Sequence, residues 1–305
     1  MVTIFTLRKA CLSLILLLGA SAMTAGHRGV SISISDGKDP ARCEDIAIAI
    51  DGRPAERGQD RLRVPGAPGR TLRVRVPDHS GVRVVGSDRD DFEVLACKAA
   101  SSVSDLARIS VMENSDGLSV RGPGGQRWAA YLLIAAPRGA SMDLEADNAS
   151  IGLRGLSGRV TARSSNGPIS LKDCSGDIDA RAENGPIHLS GGSGSLHLET
   201  SNGPIGVALS GLAWSGAGLE ARAVNGPVHL AIPAGYRSGA AVESRGNSPF
   251  RCRGSACAGA RRISDDRRER LEWNDGPMLV HVSTENGPVS VRAGGDDADL
   301  EEGED

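Results

Sequence analysis

Three carboxylates lie close together in the chain, Asp177, Asp179 and Glu183, and Arg181 stands between them. Enzymes that cleave glycosidic bonds bring carboxyl groups together in one groove, where one acts as an acid and the other as a base or nucleophile. This group is therefore the candidate site of a carbohydrate lyase or hydrolase. The same alternation of charges is typical of the solvated face of a strand, and this is the interpretation we prefer.

The three acids lie inside a repeat built on the tripeptide Asn-Gly-Pro. A degenerate copy begins at Asn148, and the starts at Asn148, Asn166, Asn184 and Asn202 are each 18 residues apart. The next two starts follow after 23 and 61 residues. A fixed period near 20 residues is typical of stacked repeats, which bury their apolar faces against each other. The complete tripeptides are Asn166-Gly167-Pro168, Asn184-Gly185-Pro186, Asn202-Gly203-Pro204, Asn225-Gly226-Pro227 and Asn286-Gly287-Pro288.

Two short strands are predicted in each repeat. The third and fifth residues after each Asn are aliphatic with a small or polar residue between them, and the sixth and fourth residues before it are also apolar. This period of two indicates strands with one buried face. The fold class is therefore all-β, and the expected architecture is a parallel β-helix-like solenoid with about 18–23 residues per rung. A twisted antiparallel β-sandwich is the alternative.

The tripeptides are predicted to form corners between these strands. Asn-Gly tolerates a positive φ angle, whereas proline fixes φ and withholds an amide from the strand ladder. Asn side chains that stack from repeat to repeat can also hydrogen-bond to each other. The residue two before each Asn is small, which suits a tight corner, and Gly158, Gly176 and Gly194 mark the opposite turn. The residues three before Asn form an outward column of expected ion pairs: Glu145, Arg163, Arg181, Glu199 and Arg222.

Other residues with reactive side chains stand alone. His188 and His229 each follow an Asn by four residues, but a whole repeat lies between them. They are therefore expected about 10 Å apart, too far to share a metal ion, and we interpret them as surface histidines. Cys174 takes the place that Leu156 has in the preceding repeat, so a buried, inert thiol is expected.

Two glycine-rich stretches match ligand-binding patterns only in part. Residues 191–196 are similar to the calcium-binding nonapeptide but have serine in place of the required aspartate. Residues 216–221 fit a loose dinucleotide fingerprint, but they open a predicted strand instead of a helix. No cofactor and no metal ion is therefore expected.

Residues 1–25 are predicted to be a cleaved signal peptide. Arg8 and Lys9 precede an apolar run at 10–20 that ends in small residues and is too short to span a membrane. The mature chain is therefore expected in the periplasm or outside the cell, without a transmembrane segment.

The predicted cleavage leaves five cysteines in an oxidising compartment. Cys252 and Cys257 are close enough to close a short loop, and they are the first disulfide candidate. Cys43 with Cys97 is the second candidate, and Cys174 remains over.

The rest of the chain divides by composition. Residues 26–140 are interpreted as an N-terminal β region with degenerate repeats, and 141–293 as the regular repeat region. An insertion at 247–273 is expected to be a protruding loop or a short helix, and the acidic stretch 294–305 a disordered tail. The net charge of −3 and the aromatic content of 3% argue against a nucleic-acid partner.

The Asn-Gly-Pro-Ile-x-Leu units, together with residues 86–91 and 96–99, resemble the putative-adhesin family of bacterial β-strand-repeat envelope proteins, a domain of unknown function. The resemblance covers residues 70–293. It implies a β-solenoid and an exported or envelope location, and it supplies no catalytic motif.

These patterns lead to one principal hypothesis and two alternatives. The principal hypothesis is a non-enzymatic exported envelope protein, adhesin-like or a scaffold, whose repeated faces bind envelope protein, surface polysaccharide or further copies of the chain. The first alternative is a periplasmic sensing or regulatory module that uses the 247–273 insertion as its contact element. The second is a carbohydrate-active enzyme that uses Asp177, Asp179 and Glu183.

Overall fold

The computed structural model of the chain describes residues 29–34, 40–67, 69–115, 117–125, 127–245, 248–265 and 267–294. The predicted signal peptide lies outside these residues. So does the predicted acidic tail, apart from Gly294.

The described chain is an all-β structure, which confirms the predicted fold class. Its N-terminal strands are β1 Val30–Ile34, β2 Ile46–Ile50, β3 Arg53–Pro54, β4 Glu56–Val64, β5 Thr71–Val76, β6 Gly81–Ser87, β7 Phe92–Ala100, β8 Ser110–Asn114, β9 Gly117–Arg121 and β10 Trp128–Pro137. The repeat region continues with β11 Ser141–Ala146, β12 Ser150–Arg154, β13 Arg159–Ser164, β14 Ile169–Lys172, β15 Ser175–Ala182, β16 Ile187–Ser190, β17 Ser193–Asn202, β18 Ile205–Ala208, β19 Gly218–Asn225 and β20 Val228–Pro233. The C-terminal strands are β21 Gly239–Arg245, β22 Phe250–Cys252, β23 Ala260–Asp265, β24 Arg268–Trp273, β25 Met278–Thr284 and β26 Val289–Gly294. The short helices are α1 Val103–Leu106 and the 3-10 helices Cys43–Asp45 and Gly254–Cys257.

The strands form one 12-stranded sheet, one 11-stranded sheet and a small sheet of β1–β3. Within the repeat region each repeat places its first strand in the 12-stranded sheet and its second strand in the 11-stranded sheet. Successive repeats pair in parallel, so β11, β13, β15, β17 and β19 are consecutive neighbours in one sheet, and β12, β14, β16, β18 and β20 in the other. The alternative architecture, a twisted antiparallel β-sandwich, therefore does not describe the repeat region.

The register of these pairs aligns the aliphatic columns seen in the sequence. Ile169 faces Ile187, which faces Ile205, and the same row continues to Val228 and Val289. These side chains are all buried, and they belong to one apolar core that lies between the two large sheets. The alternation of apolar and polar residues thus places one face of each strand in the core, because successive side chains point to opposite faces.

The spatial order of repeats departs from the chain order at the C-terminal end. The last repeat, β25 and β26, pairs directly with β19 and β20. Strands β21 and β22, which come earlier in the chain, lie on its far side. The chain therefore skips one position, builds the outer repeat, and returns to fill the gap. This path accounts for the 61 residues between Asn225 and Asn286.

A related arrangement closes the N-terminal end. Strands β5 and β6 pair in parallel with β11 and β12, which extends both sheets by one repeat, and β9 and β10 extend them further. Antiparallel strands then finish both ends: β7 and β4 next to β10, β8 next to β9, and β24 and β23 next to β21. The predicted insertion at 247–273 is thus largely strand within the described residues, whereas a loop or short helix was expected.

Both predicted disulfides are confirmed. Cys43–Cys97 ties the segment before β2 to β7, and the small sheet packs its apolar residues against the outer face of β7 and β10. Cys252–Cys257 closes the short loop after β22. Cys174 is a free and buried cysteine, as predicted.

An asparagine ladder runs along the corners of the repeats. The side-chain amide of Asn184 donates to Oδ1 of Asn166 at 3.0 Å, and Oδ1 of Asn184 accepts from Asn202 at 2.9 Å. Asn225 donates to Asn202 at 3.1 Å, and Asn286 donates to Asn225 at 3.0 Å. An amide carries both a donor and an acceptor, so identical side chains can pair along the whole column.

Glycine is needed at the corners for a different reason from the one predicted. No Asn-Gly-Pro glycine has a positive φ angle, so the conformational argument for them was wrong. A Cβ atom added at Gly185 would instead overlap the carbonyl oxygen of Gly167, and one at Gly203 would overlap that of Gly185. The same overlap occurs at Gly226 and Gly287. Glycine is required because the backbones of neighbouring repeats touch here.

Threonine side chains on the core side form hydrogen bonds to the same corner glycines. Thr200 lies two residues before Asn202 and is fully buried, and its hydroxyl donates to the carbonyl oxygen of Gly185 at 2.9 Å. Thr284 makes the equivalent bond to Gly226 at 2.8 Å. Without these bonds, the buried carbonyl groups at the corner would lack a side-chain hydrogen-bond partner.

We predict that Gly185→Ala lowers the free energy of unfolding by about 1–3 kcal/mol, because the new methyl group must push two backbones apart. Asn184→Ala removes two exposed hydrogen bonds and should cost about 1 kcal/mol. Urea denaturation followed by circular dichroism measures both. Gly139→Ala is the control: its added Cβ would meet nothing within 4 Å, so stability should not fall. Equal effects of Gly185→Ala and Gly139→Ala would contradict the packing explanation.

We further predict that a chain ended after Trp273 loses the order of its C-terminal strands while β11–β18 remain folded. Such a chain lacks β25 and β26, so β21 and β22 lose their parallel partners. Hydrogen exchange should then be fast at 239–273 and unchanged at 141–208. A chain ended after Gly294 is the control and should exchange like the full chain. Retained protection at 239–273 in the shorter chain would contradict the pairing.

Candidate functional site

The outer face of the 12-stranded sheet is the principal candidate surface. We call it the charged face and define it by the outward residues of β11, β13, β15, β17 and β19. Their outward positions place Glu145 next to Arg163, and Glu199 between Arg181 and Arg222, as predicted from the sequence. The face is exposed because the inward residues of the same strands fill the core.

Ion pairs cover this face, but they do not follow the predicted column alone. Arg163 pairs with Asp143 at 3.2 Å, although Glu145 lies directly opposite it. Arg181 pairs with Asp179 of its own strand at 3.0 Å and is 3.8 Å from Glu199. Glu145 pairs instead with Arg75 of the neighbouring strand at 2.7 Å. Arg163 and Arg181 face each other in register, and the acids beside them offset their repulsion. Exposed pairs of this kind contribute at most about 1 kcal/mol each.

The three carboxylates suggested for catalysis lie on or beside this face. Asp177 and Asp179 are outward residues of β15, and Glu183 directly follows that strand. Asp177 accepts a hydrogen bond from Arg159 at 3.0 Å, and Asp179 pairs with Arg181. The two aspartates therefore stand side by side, each with its own arginine, and do not face each other across a groove.

A groove follows the corner where the charged face ends. This corner groove has a volume of about 420 Å³ and crosses β11, β13, β15 and β17. Ser164, Ser165 and Ser201 also line it. Four acids and two arginines line it, which gives a net charge of −2: Glu145, Asp147, Glu183, Glu199, Arg163 and Arg181.

The same corner becomes basic toward the C-terminal end. A second hollow of about 610 Å³ is lined by three arginines and two acids, which gives a net charge of +1. Its charged lining residues are Arg245, Arg267, Arg268, Asp265 and Glu285.

Beside this hollow, Glu243 is 2% exposed and lies under a layer of cationic side chains. Its carboxylate is 3.0 Å from Arg268, 3.2 Å from Arg270 and 3.3 Å from Arg245. Burial by itself raises the pKa of Glu243, but the hydrogen bond from Arg245, the charge of Arg268 and the hydrogen bond from Arg270 outweigh it and hold the pKa below its ordinary value. Glu243 is therefore ionised, and its ion pairs hold the arginines at the C-terminal end of the sheet in place.

The histidines and the free cysteine singled out in the sequence lie at separate positions in the structure. His188 and His229 lie in one outward row with Gly206 between them. Burial lowers the pKa of His229, and the nearby Arg292 adds to the shift. Burial raises the pKa of the Cys174 thiol, which therefore stays protonated at neutral pH. Within the residues that the structure describes, no group of three His, Cys, Asp or Glu side chains is placed to hold a metal ion.

Sequence reasoning missed the Glu243 cluster. Glu243 lies on β21 and Arg268 and Arg270 lie on β24, and these strands pair although β22 and β23 stand between them in the chain, so no repeat spacing connects the three residues. A local signal was present in Asn-Ser-Pro at 247–249, a degenerate copy of the corner tripeptide. The carbonyl group of Pro249 accepts from the amide of Val289, as Pro288 does from Val228.

Three solved structures are similar to this chain over 78% of its length. A putative cell adhesion protein from Clostridium sporogenes has a TM-score of 0.33 at 8% identity, with 100% of its own chain covered. A putative adhesin from Parabacteroides distasonis has a TM-score of 0.32 at 10% identity, with 98% covered. A putative adhesin from Bacteroides fragilis has a TM-score of 0.23 at 10% identity, with 97% covered. TM-scores of this size do not establish a shared function.

No protein-family model and no curated protein matches the sequence. Among the residues that the structure describes, none of the helices has the length and the apolar composition needed to cross a membrane.

We predict a pH-dependent loss of stability for Glu243→Gln. Because the folded pKa is below the ordinary value of 4.5, the carboxylate stabilises the fold fully above that pH and less as pH falls through the folded pKa. The variant should therefore be less stable by about 1.5–3 kcal/mol at pH 7, because it weakens the charged hydrogen bonds that Arg245 and Arg270 donate to this side chain. The difference should shrink at pH 3 to 4.

Thermal unfolding between pH 3 and pH 8 measures the effect. Glu220→Gln is the control, since Glu220 is an exposed residue of the charged face, and it should change stability by no more than about 0.5 kcal/mol. If the difference in stability between Glu243→Gln and the unchanged protein stayed constant with pH, Glu243 would not be an ionised partner of these arginines.

Proposed function

We propose that the protein is a non-enzymatic, exported envelope protein of adhesin-like type that binds surface polysaccharide along its corner groove. The proposal includes the finer architecture, a β-solenoid in which each repeat is one rung. Support comes from the in-register parallel pairing of successive repeats and from the asparagine ladder.

An exported location is supported by the cysteines. Two disulfides form, one of them across 54 residues of sequence. Disulfides persist in the periplasm and outside the cell and are rare in the reducing cytoplasm. Together with the signal peptide predicted at 1–25, they favour the periplasm or the cell exterior.

The groove crosses four strands of the same sheet and repeats its polar groups at the strand spacing of about 4.8 Å. This regularity is the observation that carries the proposal. A site for one small molecule gathers its polar groups at a point, whereas here they are distributed along a line. An extended polymer can contact all of them, and several weak contacts on one chain add up to useful affinity.

The chemistry of the groove favours a hydroxyl-rich polymer. Carboxylates accept hydrogen bonds, arginines donate them, and serine hydroxyls do both, so together they match sugar hydroxyls. Acids and arginines alternate within a few ångströms, as in the 3.8 Å separation of Arg181 and Glu199. A polymer of high charge density would meet repulsion from one of the two signs. A neutral or weakly charged polysaccharide therefore fits best.

The proposal is tested with the mature chain and polysaccharide isolated from the envelope of the source cells. The double variant Arg163→Ala with Arg181→Ala should bind at least tenfold more weakly, because hydrogen bonds from charged groups contribute about 1.5–3 kcal/mol each. Arg159→Ala is the matched control, since Arg159 is an exposed, ion-paired residue of the same strand as Arg163 but does not line the groove. Biolayer interferometry with immobilised polysaccharide measures the affinities.

Two outcomes would overturn the proposal. Equal binding by the double variant and the control would remove the groove as the site. Release of oligosaccharides by the unchanged protein, abolished in Asp177→Asn or Asp179→Asn, would instead establish the enzyme that the sequence suggested as an alternative.

A further inference from the structure

We propose that the N-terminal end of the 11-stranded sheet carries a second binding site, which takes a small amphiphilic anion with an apolar body and a carboxylate head. The site is a pocket of about 430 Å³ on the outer face of β4, β7, β10, β6 and β12. It lies apart from the corner groove, which is on the other large sheet, and it does not depend on polysaccharide binding.

The floor of the pocket is apolar. Cross-strand pairing places Leu95 opposite Leu133, and Ala135 opposite Val85, all with side chains on the outer face. In the regular repeats the corresponding outward row holds Gly152, Ser170 and His188. This row of the outer face is therefore small or polar in these repeats and becomes apolar toward the N-terminal end.

The small sheet β1–β3 covers part of that apolar surface, since its residues pack against Tyr131, Cys97 and Leu133. The pocket is the concave region next to this cover, with Pro40 and Ala41 as one wall. Val85, on the opposite side, remains 36% exposed. An apolar body bound here would remove Val85 and Leu95 from water, which favours binding.

Three arginines surround the apolar floor, and they come from distant parts of the chain. Arg61 stands on edge strand β4 directly opposite Leu95, and Arg83 stands directly opposite Leu133. Arg154 is paired in register with Val85. Among the lining residues that the structure describes, Glu93 is the one acid, and their charges sum to +2.

The acid is already engaged, since Glu93 pairs with Arg89 at 3.0 Å, and Arg89 does not line the pocket. Arg83 is only 8% exposed, and its guanidinium lies over Gly152. A Cβ atom at Gly152 would approach its Nη1 atom to 3.3 Å, so the glycine makes room for the arginine. Such a buried cation at the base of a pocket is uncommon in proteins.

The ligand class follows from these parts. A volume of 430 Å³ lies in the range of small-molecule sites, which are typically apolar with a few placed polar groups. Guanidinium groups match the planar geometry of carboxylates and bind them with two parallel hydrogen bonds. A medium-chain fatty acid combines the apolar body and the planar anion that this pocket offers.

The test is isothermal titration of the mature chain with decanoate below its critical micelle concentration. Decanoate should bind, whereas acetate, decanol and decyltrimethylammonium should bind at least tenfold more weakly, because each lacks the apolar body or the negative head. Added salt should weaken decanoate binding. Binding of acetate as tight as that of decanoate would identify a general anion site and overturn the proposal.

Two exposed positions test the pocket itself. Arg61→Ala should weaken decanoate at least tenfold, and Val85→Glu should abolish binding by placing a negative charge on the floor. Arg63→Ala is the matched control, since Arg63 is the next outward residue of β4 and does not line the pocket; it should change the affinity by less than twofold. Decanoate binding unchanged in Arg61→Ala and Val85→Glu, or no binding to the unchanged protein at 1 mM, would refute the site.

Discussion

The contact between glycine backbones at the corners is the constraint on which the rest of this structure depends. At Gly185 and Gly203 the neighbouring backbone occupies the space that a side chain would need. This contact keeps successive repeats at the strand spacing and in one register. The aliphatic columns, the asparagine ladder and the buried hydroxyls then align without further adjustment, because each repeat has the same corner.

Stacking in register has a consequence for charged residues that it does not have for uncharged ones. Two leucines or two asparagines in adjacent repeats attract each other, but two arginines repel. Arg163 and Arg181 face each other in this way, and Asp143 and Asp179 supply the compensating charges from the next outward column. The resulting mixture of acids and bases gives the charged face little net charge over any short distance. That property favours a ligand that forms many hydrogen bonds over a ligand that is strongly charged.

The two ends of the stack are subject to a different constraint. The edge strands of a sheet expose unpaired backbone groups, and these groups favour aggregation. Antiparallel strands follow the last parallel strand at both ends of the 12-stranded sheet and at the N-terminal end of the 11-stranded sheet, and charged residues occupy these outermost strands. At the C-terminal end the final repeat lies inside the outer one, so the chain's last strands are held on both sides. Both features that distinguish the ends, the Glu243 cluster and the arginine-lined pocket, arise where the repeat pattern is abandoned.

The sequence by itself determined the all-β class, the strands of each repeat, the columns that face the core and the short-loop disulfide between Cys252 and Cys257. All of these follow from short-range periodicity or from residue type, which do not depend on the path of the chain. Tertiary structure decided the space requirement of the corner glycines, the position of the last repeat and the surroundings of Glu243. It also assembled the pocket between Arg61, Arg83 and Arg154, whose strands are neighbours only in the folded sheet. The order of strands in a sheet is set by long-range pairing, and no local spacing of residues encodes it.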